Sequence, residues 1–357
     1  MNSATHRRAI ESIDHFDGAR THVAPADRLR AITTGAHRLR EELSSAAPVS
    51  FYAACDLVRA PYPRRYALRD ATTARAPFVH ILNRLFIVQC ESPLGTTTVL
   101  ISPTDRARAR RTPFFDRLAR RLPARALVES LLAPAYATVS ECLQHHGIQP
   151  ADVDFITYDH LHTQDLRGWL GDAQQPGFFP NARLLVTREE WRATTGLLAP
   201  QRDWYAPDGT LGIPSERVIL LENDVRIGPS LVLMRTPGHT EGNHSIVVRT
   251  DAGILVTSEN GVSADCYAPS ASQIPGLARY ARETGMRVVL NGNTLERGLD
   301  QYLSMIQELE VAGPNAQHPE FPNFVPSSEL TPSWLAPRIR PSMVWGPRVF
   351  GQVRSPA

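Results

Sequence analysis

The apolar run Val153 to Tyr158 ends in a stretch dense in metal-capable side chains, Asp159, His160, His162 and Asp165, which closes at Gly168. His160 and His162 are two residues apart, and such side chains share a face only in extended backbone. If the chain is leaving a strand there, both imidazoles reach one ion. A third histidine, His239, sits in Thr236-Pro237-Gly238-His239-Thr240-Glu241-Gly242, a turn made by one Pro and two Gly. The glycines allow the tight bend and close approach that aim His239 inward. Three neutral imidazoles around one ion leave a coordination position open for water. Such an ion lowers the pKa of its water from ~15.7 towards ~7 and polarises a carbonyl or phosphoryl oxygen, which is the chemistry of metal-assisted hydrolysis.

The order of these motifs resembles the metallo-β-lactamase superfamily. Its signature is H-x-H-x-D-H followed by Gly, then a P-G-H-T-x-G turn, then an acid after an apolar strand, then a final histidine in a short turn. The corresponding stations are Ile156 to Gly168, Thr236 to Gly242, Gly253 to Asn260 and Val288 to Thr294, within about Phe78 to Val311. The resemblance implies an α+β fold, an αββα sandwich of two mixed sheets packed between helices, with the metal site at one edge between the sheets. It also implies that His160, His162 and His239 hold a first ion.

Gln164-Asp165 stands where the family has Asp-His. Without a gap, Asp165 takes the place of a second-metal histidine; with one inserted residue it becomes the family aspartate. Either way Asp165 is a ligand candidate and the group that would orient water or act as general base. Glu259 replaces the bridging aspartate, and Asn293 replaces the final histidine as a weak ligand or a hydrogen-bond donor. Oxygen donors in place of imidazole move the second site from zinc towards iron or manganese. One or two divalent ions are expected, zinc foremost. Asp159 is expected to fix a ligand histidine by a hydrogen bond, His244 to be structural, and Tyr158, Cys266 and Tyr267 to be wall or core.

The activity so implied is hydrolysis of a small-molecule ester, lactone, thioester, amide or phosphoester. A di-iron oxygenase or oxidoreductase on the same fold is the alternative, and a non-catalytic binding protein with a degenerate site is the third reading. No G-x-S-x-G, Walker loop or dinucleotide glycine fingerprint offers another chemistry.

The elements that must position these groups are legible in the residue pattern. Ala26 to Leu43 carries Leu29, Ile32, His37, Leu39 and Leu43 on one helical face behind Pro25. Val49 to Arg75, interrupted by Pro61 and Pro63, reads as irregular. Phe78 to Glu91 and Thr96 to Ser102 make a hairpin about Pro93-Leu94-Gly95, with His80 as a core or edge residue. Helices are expected after Thr112-Pro113 and over Ala135 to His146, where His145 and His146 complement the helix dipole. Strands follow at Val153 to Tyr158, Ala182 to Thr187, Arg217 to Leu221, Leu231 to Thr236, His244 to Thr250 and Gly253 to Ser258. A helix near Gly276 to Thr284, a strand Arg287 to Leu290 and a long helix Leu295 to Val311 complete the pattern. The chain thus divides into an extension, 1–75, wrapping the core; a metallo-β-lactamase-like domain, 76–311; and a Pro-rich arm, 312–357, that lies over the domain or reaches a neighbouring copy in a homo-oligomer.

A chain of 357 residues, 42% hydrophobic, is long enough to bury one large core or two modest ones. All 38 basic residues are Arg, and the net charge is only +2. The cluster Arg106, Arg108, Arg110 and Arg111 lacks the aromatic interleaving of a nucleic-acid surface and reads as a solvated loop. Cys55, Cys90, Cys142 and Cys266 are scattered without a C-x-x-C pair and fit reduced thiols. Met1 to Asp17 lacks the apolar segment of a secretory signal, and no run approaches the ~18 apolar residues of a membrane span. The expectation is a cytoplasmic protein with a small-molecule substrate and neither nucleic acid nor membrane as partner.

Overall fold

The computed structural model describes residues 9–354, apart from 94, 121–124 and 294–296. Its strands in chain order are β1 (Ile10–Ser12), β2 (Phe51–Pro63), β3 (Phe78–Ser92), β4 (Gly95–Ile101), β5 (Phe155–Thr157), β6 (Arg183–Thr187), β7 (Val218–Leu221), β8 (Val225–Ile227), β9 (Leu231–Arg235), β10 (His244–Thr250), β11 (Gly253–Thr257), β12 (Ser328–Thr331) and β13 (Arg348–Gly351). Five of them form a sheet in the order β1-β8-β9-β10-β11, antiparallel at every pairing. The other sheet has eight strands in the order β13-β2-β3-β4-β5-β6-β7, with β12 beside β3. Its β4 to β7 run parallel and its remaining pairs antiparallel.

Alternation along the strands stacks these sheets. Leu231 and Leu233 of β9, with Ile246 and Val248 of β10, face Phe86, Val88, Val99 and Leu185 of the larger sheet in an inter-sheet core. Val232, Met234 and Val247 point the other way, onto Leu39 and Leu43 of the helix Pro25–Ser45 and Met305 and Ile306 of the helix Gly298–Ala312. On the far side of the larger sheet, Leu85, Ile87, Ile156 and Leu184 meet Val139 and Leu143 of the helix Val139–His145. Period-two alternation with both faces apolar requires a cover on each side, so the layers run helix, sheet, sheet, helix. The architecture is the α+β sandwich that the motif order implied.

Several elements differ from the sequence reading. Val49 to Arg75 is not irregular, because β2 occupies its first half and pairs with β3 from Phe51 to Pro63. On its other side β13 covers only Phe51 to Ala54, so Pro61 and Pro63 fall where β2 is an edge and their missing N–H costs little. Ala135 to Ala137 is not helical: Tyr136 donates to the Leu57 carbonyl of β2, and the helix begins after Thr138, whose side chain and that of Glu141 form a capping box. Arg287 to Leu290 forms no strand; Val288 to Leu290 are buried, and Val289 N donates to the Cys266 carbonyl. His37 lies off the buried face of its helix and pairs with Glu310 at 3.0 Å. The Pro-rich arm packs on its own domain, supplying β12 and β13 and bonding Val325, Ser327 and Leu330 N–H groups to Val256, Ser258 and Val262. Arg7 and Arg8, Leu94 of the hairpin turn, Thr294 and the helix start at Leu295 lie outside the described residues.

Candidate metal centre

Three strand ends of the two sheets meet at one end of the sandwich. β5 releases the loop bearing His160 and His162, β9 the turn bearing His239, and β11 the segment bearing Glu259. His162 makes an isolated bridge to Tyr205, which keeps the backbone extended and turns the two imidazoles the same way. The ring centroids of His160, His162 and His239 are 4.5 to 5.0 Å apart. Each ring has a nitrogen within 4.8 Å of one on each of the others, the spacing of ligands around a single ion. The glycines of the His239 turn are required by close approach. A Cβ at Gly238 would lie 2.4 Å from Gln301 Cα, and one at Gly242 2.2 Å from Glu190 N.

A buried polar atom without a partner costs about 1–3 kcal/mol. Both ring nitrogens of His239 are in that state among the described residues. In the neutral ring one of them carries a proton and the other a lone pair, and that lone pair beside two more imidazoles fits a divalent cation. Burial pushes His162 and His239 well below the usual imidazole range, and the neighbouring imidazoles push the same way, which keeps both rings neutral as ligation requires. For His160, burial acts downward but is outweighed by Asp159, and its pKa rises to about 9. Asp159 Oδ2 stands 3.2 Å from His160 Nδ1, within ion-pair range although the angle is poor for a hydrogen bond. It also accepts from Ser327 Oγ at 3.0 Å, so the Pro-rich arm reaches the centre.

Asp165, expected as ligand and base, is not brought into this group. Thr163 adopts a left-handed φ of 66° and Gln164 N bonds back to the Leu161 carbonyl, so the chain turns away after His162. The Asp165 carboxylate accepts from Arg167 Nη2 at 2.6 Å and Arg167 Nε at 3.0 Å, and Arg108 lies 3.4 Å away. With two guanidinium partners it is committed elsewhere. Glu259, the other carboxylate expected there, does approach: Asp159, His160 and Glu259 form a second cluster of metal-capable atoms within 4.8 Å. Burial raises the Glu259 carboxyl to about 7, against the pull of His160. Asn293 lines the same cavity as Glu259, with its N–H on Asn291 Oδ1 at 2.8 Å. His244 is structural, with Nε2 3.0 Å from Thr157 Oγ1. Tyr158 donates to the Pro103 carbonyl from the cavity wall, whereas Cys266 and Tyr267 are core.

Glu190 and Tyr62 escaped the sequence reading. Glu190, buried on the helix Arg188–Thr195, accepts from Leu161 N at 2.8 Å, Tyr205 OH at 2.9 Å and Thr240 Oγ1 at 2.6 Å. One carboxylate thereby ties the His160–His162 loop to the His239 turn. No local pattern marks it. Tyr62 lies on β2, and the proline spacing that hid the strand hid the residue as well.

His160 and His162, with Glu259, line one end of a cavity of about 280 Å³, and His239 packs against the two imidazoles. The cavity walls are mostly apolar: Val58 and Pro61 of β2, Phe78 and Ile81 of β3, Phe115 and Leu118 of the helix Pro113–Arg120, Leu132 of the helix Arg125–Leu132, and Leu335 of the arm. Polar groups are few: those of the metal-capable end, and Arg106, Arg110 and Glu129 on the helical side, the composition of a small-molecule site.

Sandwich topology and the loops that carry the histidines agree with the motif order by which the chain resembles the metallo-β-lactamase superfamily. No family model matches the chain. A stretch of 114 residues is 29% identical to an N-acyl homoserine lactonase of Bacillus cereus, covering 32% of this chain and 40% of that enzyme. Another of 150 residues is 29% identical to the N-acyl homoserine lactonase AttM of Rhizobium radiobacter, covering 39% of this chain and 52% of the relative. The chain thus matches about half or less of the length of these curated relatives. Among solved structures it is similar to AidC, a dizinc quorum-quenching lactonase in complex with a product, with a TM-score of 0.47 at 10% identity over 87% of this chain and 97% of that one. It is also similar to the hydrolase AbOPH of the beta-lactamase superfamily, with a TM-score of 0.44 at 14% identity over 87% and 99% of the two chains.

Proposed function

We propose that this protein is a metal-dependent hydrolase of small esters, with lactones carrying an apolar substituent as the first substrate class. The observation that carries the reading is the unpartnered, buried His239 ring packed against His160 and His162, which line an apolar cavity. His160, His162 and His239 would hold the ion, zinc foremost. When bound, it would supply a Lewis acid and lower the pKa of water there. Asp159 aligns the His160 ring through Nδ1, as carboxylates beside ligand histidines do. Glu259 faces the same space and is the chain's own group suited to take a proton from water at that end of the cavity, in the role first given to Asp165. The apolar walls hold the substituent and keep bulk water from the ester. Lactonases among the relatives motivate the choice of substrate.

The test is metal analysis of protein purified without chelator, together with proton release from an N-acyl homoserine lactone. Wild-type protein should contain at least one equivalent of zinc and hydrolyse the lactone, and His239→Ala should lose both. Metal-free protein with an unchanged melting temperature in added zinc would sink the proposal.

A second reading is favoured by the Asp159, His160 and Glu259 cluster, because two carboxylates beside an imidazole suit iron. Iron near two equivalents, with visible absorption and dioxygen consumption, would assign the chain to oxidation instead.

A further inference from the structure

Away from the three histidines, β2 and the helix Val139–His145 bring two thiols and an imidazole together. Cys55 on β2 packs against the core cluster that contains Cys142 of the helix, and the two thiols perturb one another. Cys55 Sγ also lies 3.7 Å from Nε2 of His146, the residue that ends that helix. His146 packs edge-on against Phe51 at 5.2 Å between centroids, which holds its ring over the sulfur. Cys55 is half-buried, so a small solute can reach it, whereas Cys142 is covered by the core beneath it.

The remaining cysteines are different. Burial pushes Cys90 and Cys266 up to about 12, and neither touches the solvent. The neighbouring Cys142 thiol instead draws the Cys55 thiol down, while burial and His145 keep the His146 ring neutral at pH 7 and able to accept a proton. A thiol beside a base with a second thiol in contact is the arrangement of a reactive and a resolving cysteine.

We propose that Cys55, Cys142 and His146 form a peroxide-oxidisable dithiol whose disulfide clamps the helix Val139–His145 to β2. His146 Nε2 takes the Cys55 proton, and the thiolate sulfur attacks one oxygen of a hydroperoxide. The S–O bond forms as the O–O bond breaks, and the departing oxygen leaves as water or alcohol with the proton from His146. Cys142 sulfur then attacks the sulfenic sulfur; the S–S bond forms, the S–O bond breaks, and hydroxide leaves as water with the Cys142 proton. The two sulfurs lose two electrons, and the peroxide accepts them. The clamp is next to the cavity wall. The segment entering the helix is held to β2 by Arg59 N on the Pro134 carbonyl and Tyr136 N on the Leu57 carbonyl, and Val58 lines the cavity.

The experiment treats the full chain with hydrogen peroxide, counts thiols with a chromogenic disulfide, and maps cross-linked peptides by mass spectrometry. Wild-type protein should fall from four titratable thiols under denaturant to two, with one Cys55–Cys142 peptide that dithiothreitol reverses. Cys142→Ala should leave Cys55 as a sulfenic acid trapped by dimedone. His146→Gln should slow alkylation of Cys55 at pH 7 about tenfold. Retention of four thiols, a cross-link through Cys90 or Cys266, a link only between chains, or over-oxidation of Cys55 without a cross-link would each overturn the proposal. These readouts require no activity or bound metal, so they stand apart from the hydrolase reading.

Discussion

Glu190→Ala tests whether one buried carboxylate sets the geometry of the metal centre. The substitution removes the carboxylate that accepts from three donors at once: Leu161 N–H, Tyr205 O–H and Thr240 O–H. At ~1–3 kcal/mol for each buried group left unpaired, the gross loss is several kcal/mol; relief of a buried charge offsets part of it. We expect a net loss of about 3 kcal/mol in urea unfolding of the metal-free protein. Leu161 lies between the two histidines of the first loop and Thr240 follows His239, so the ligands lose register with one another. Zinc affinity, measured by competition with a chromophoric chelator, should therefore fall by about 10–100-fold, as for other residues that orient ligands. Glu190→Gln is the control. Its carbonyl still accepts from Leu161 and Tyr205, and the Thr240 hydroxyl can turn to accept from the amide. Only the charge assistance goes, at a cost of about 1 kcal/mol. Unchanged zinc affinity in Glu190→Ala, or equal damage from Gln and Ala, would refute the positioning argument.

Asp165→Asn should leave zinc stoichiometry and affinity unchanged while destabilising the fold by roughly 2 kcal/mol, because its carboxylate serves Arg167 and Arg108; lost zinc would restore it as a ligand. Asp224 supplies a pH test. Burial raises its carboxyl from 3.8 to about 6, against the pull of the Arg235 N–H. The folded state thus binds that proton more tightly than the unfolded chain. The stability so contributed is whole below pH 3.8 and is lost as pH rises through about 6. Asp224→Asn should therefore gain on wild type by about 3 kcal/mol between pH 3.5 and 7.5 in urea titrations, and a constant difference across that range would contradict the burial argument. Arg84→Met strands the buried Glu329 that Arg84 neutralises, and should cost about 3–5 kcal/mol; Arg84→Met with Glu329→Gln should recover most of it. If the double variant is no better than the single, the charge pair is not the cause.

Much of the fold was legible in the residue pattern because two-sided apolar alternation marks buried strands regardless of their partners. β9, β10 and β11 and the hairpin of β3 and β4 were all readable in that way. β2 was not. Its prolines imitate a breaker, and only the limited reach of β13 turns that half of β2 into an edge that tolerates them. β12 and β13 were hidden for the same reason in a Pro-rich segment. Arg287 to Leu290 had strand composition but no partner to pair with.

The histidine triad is a matter of residue type and short-range spacing. Extended backbone aligns His160 with His162, and glycines allow the His239 turn, so the chemistry of three imidazoles could be read before any contact was known. Among the carboxylates, Asp159 and Glu259 were named from the same motifs, but the partners of Asp165 were not legible. Asp165 is two residues beyond the His160–Thr163 stretch, but the left-handed turn at Thr163 and two arginines draw it away, while Asp159, Glu259 and Ser327 arrive from β5, β11 and the arm. Those arrivals depend on contacts between residues up to 168 positions apart, as Ser327 and Asp159 are, and no local pattern encodes them. The identity of the candidate ligands is therefore carried along the chain, whereas the company each keeps comes from packing the two sheets together.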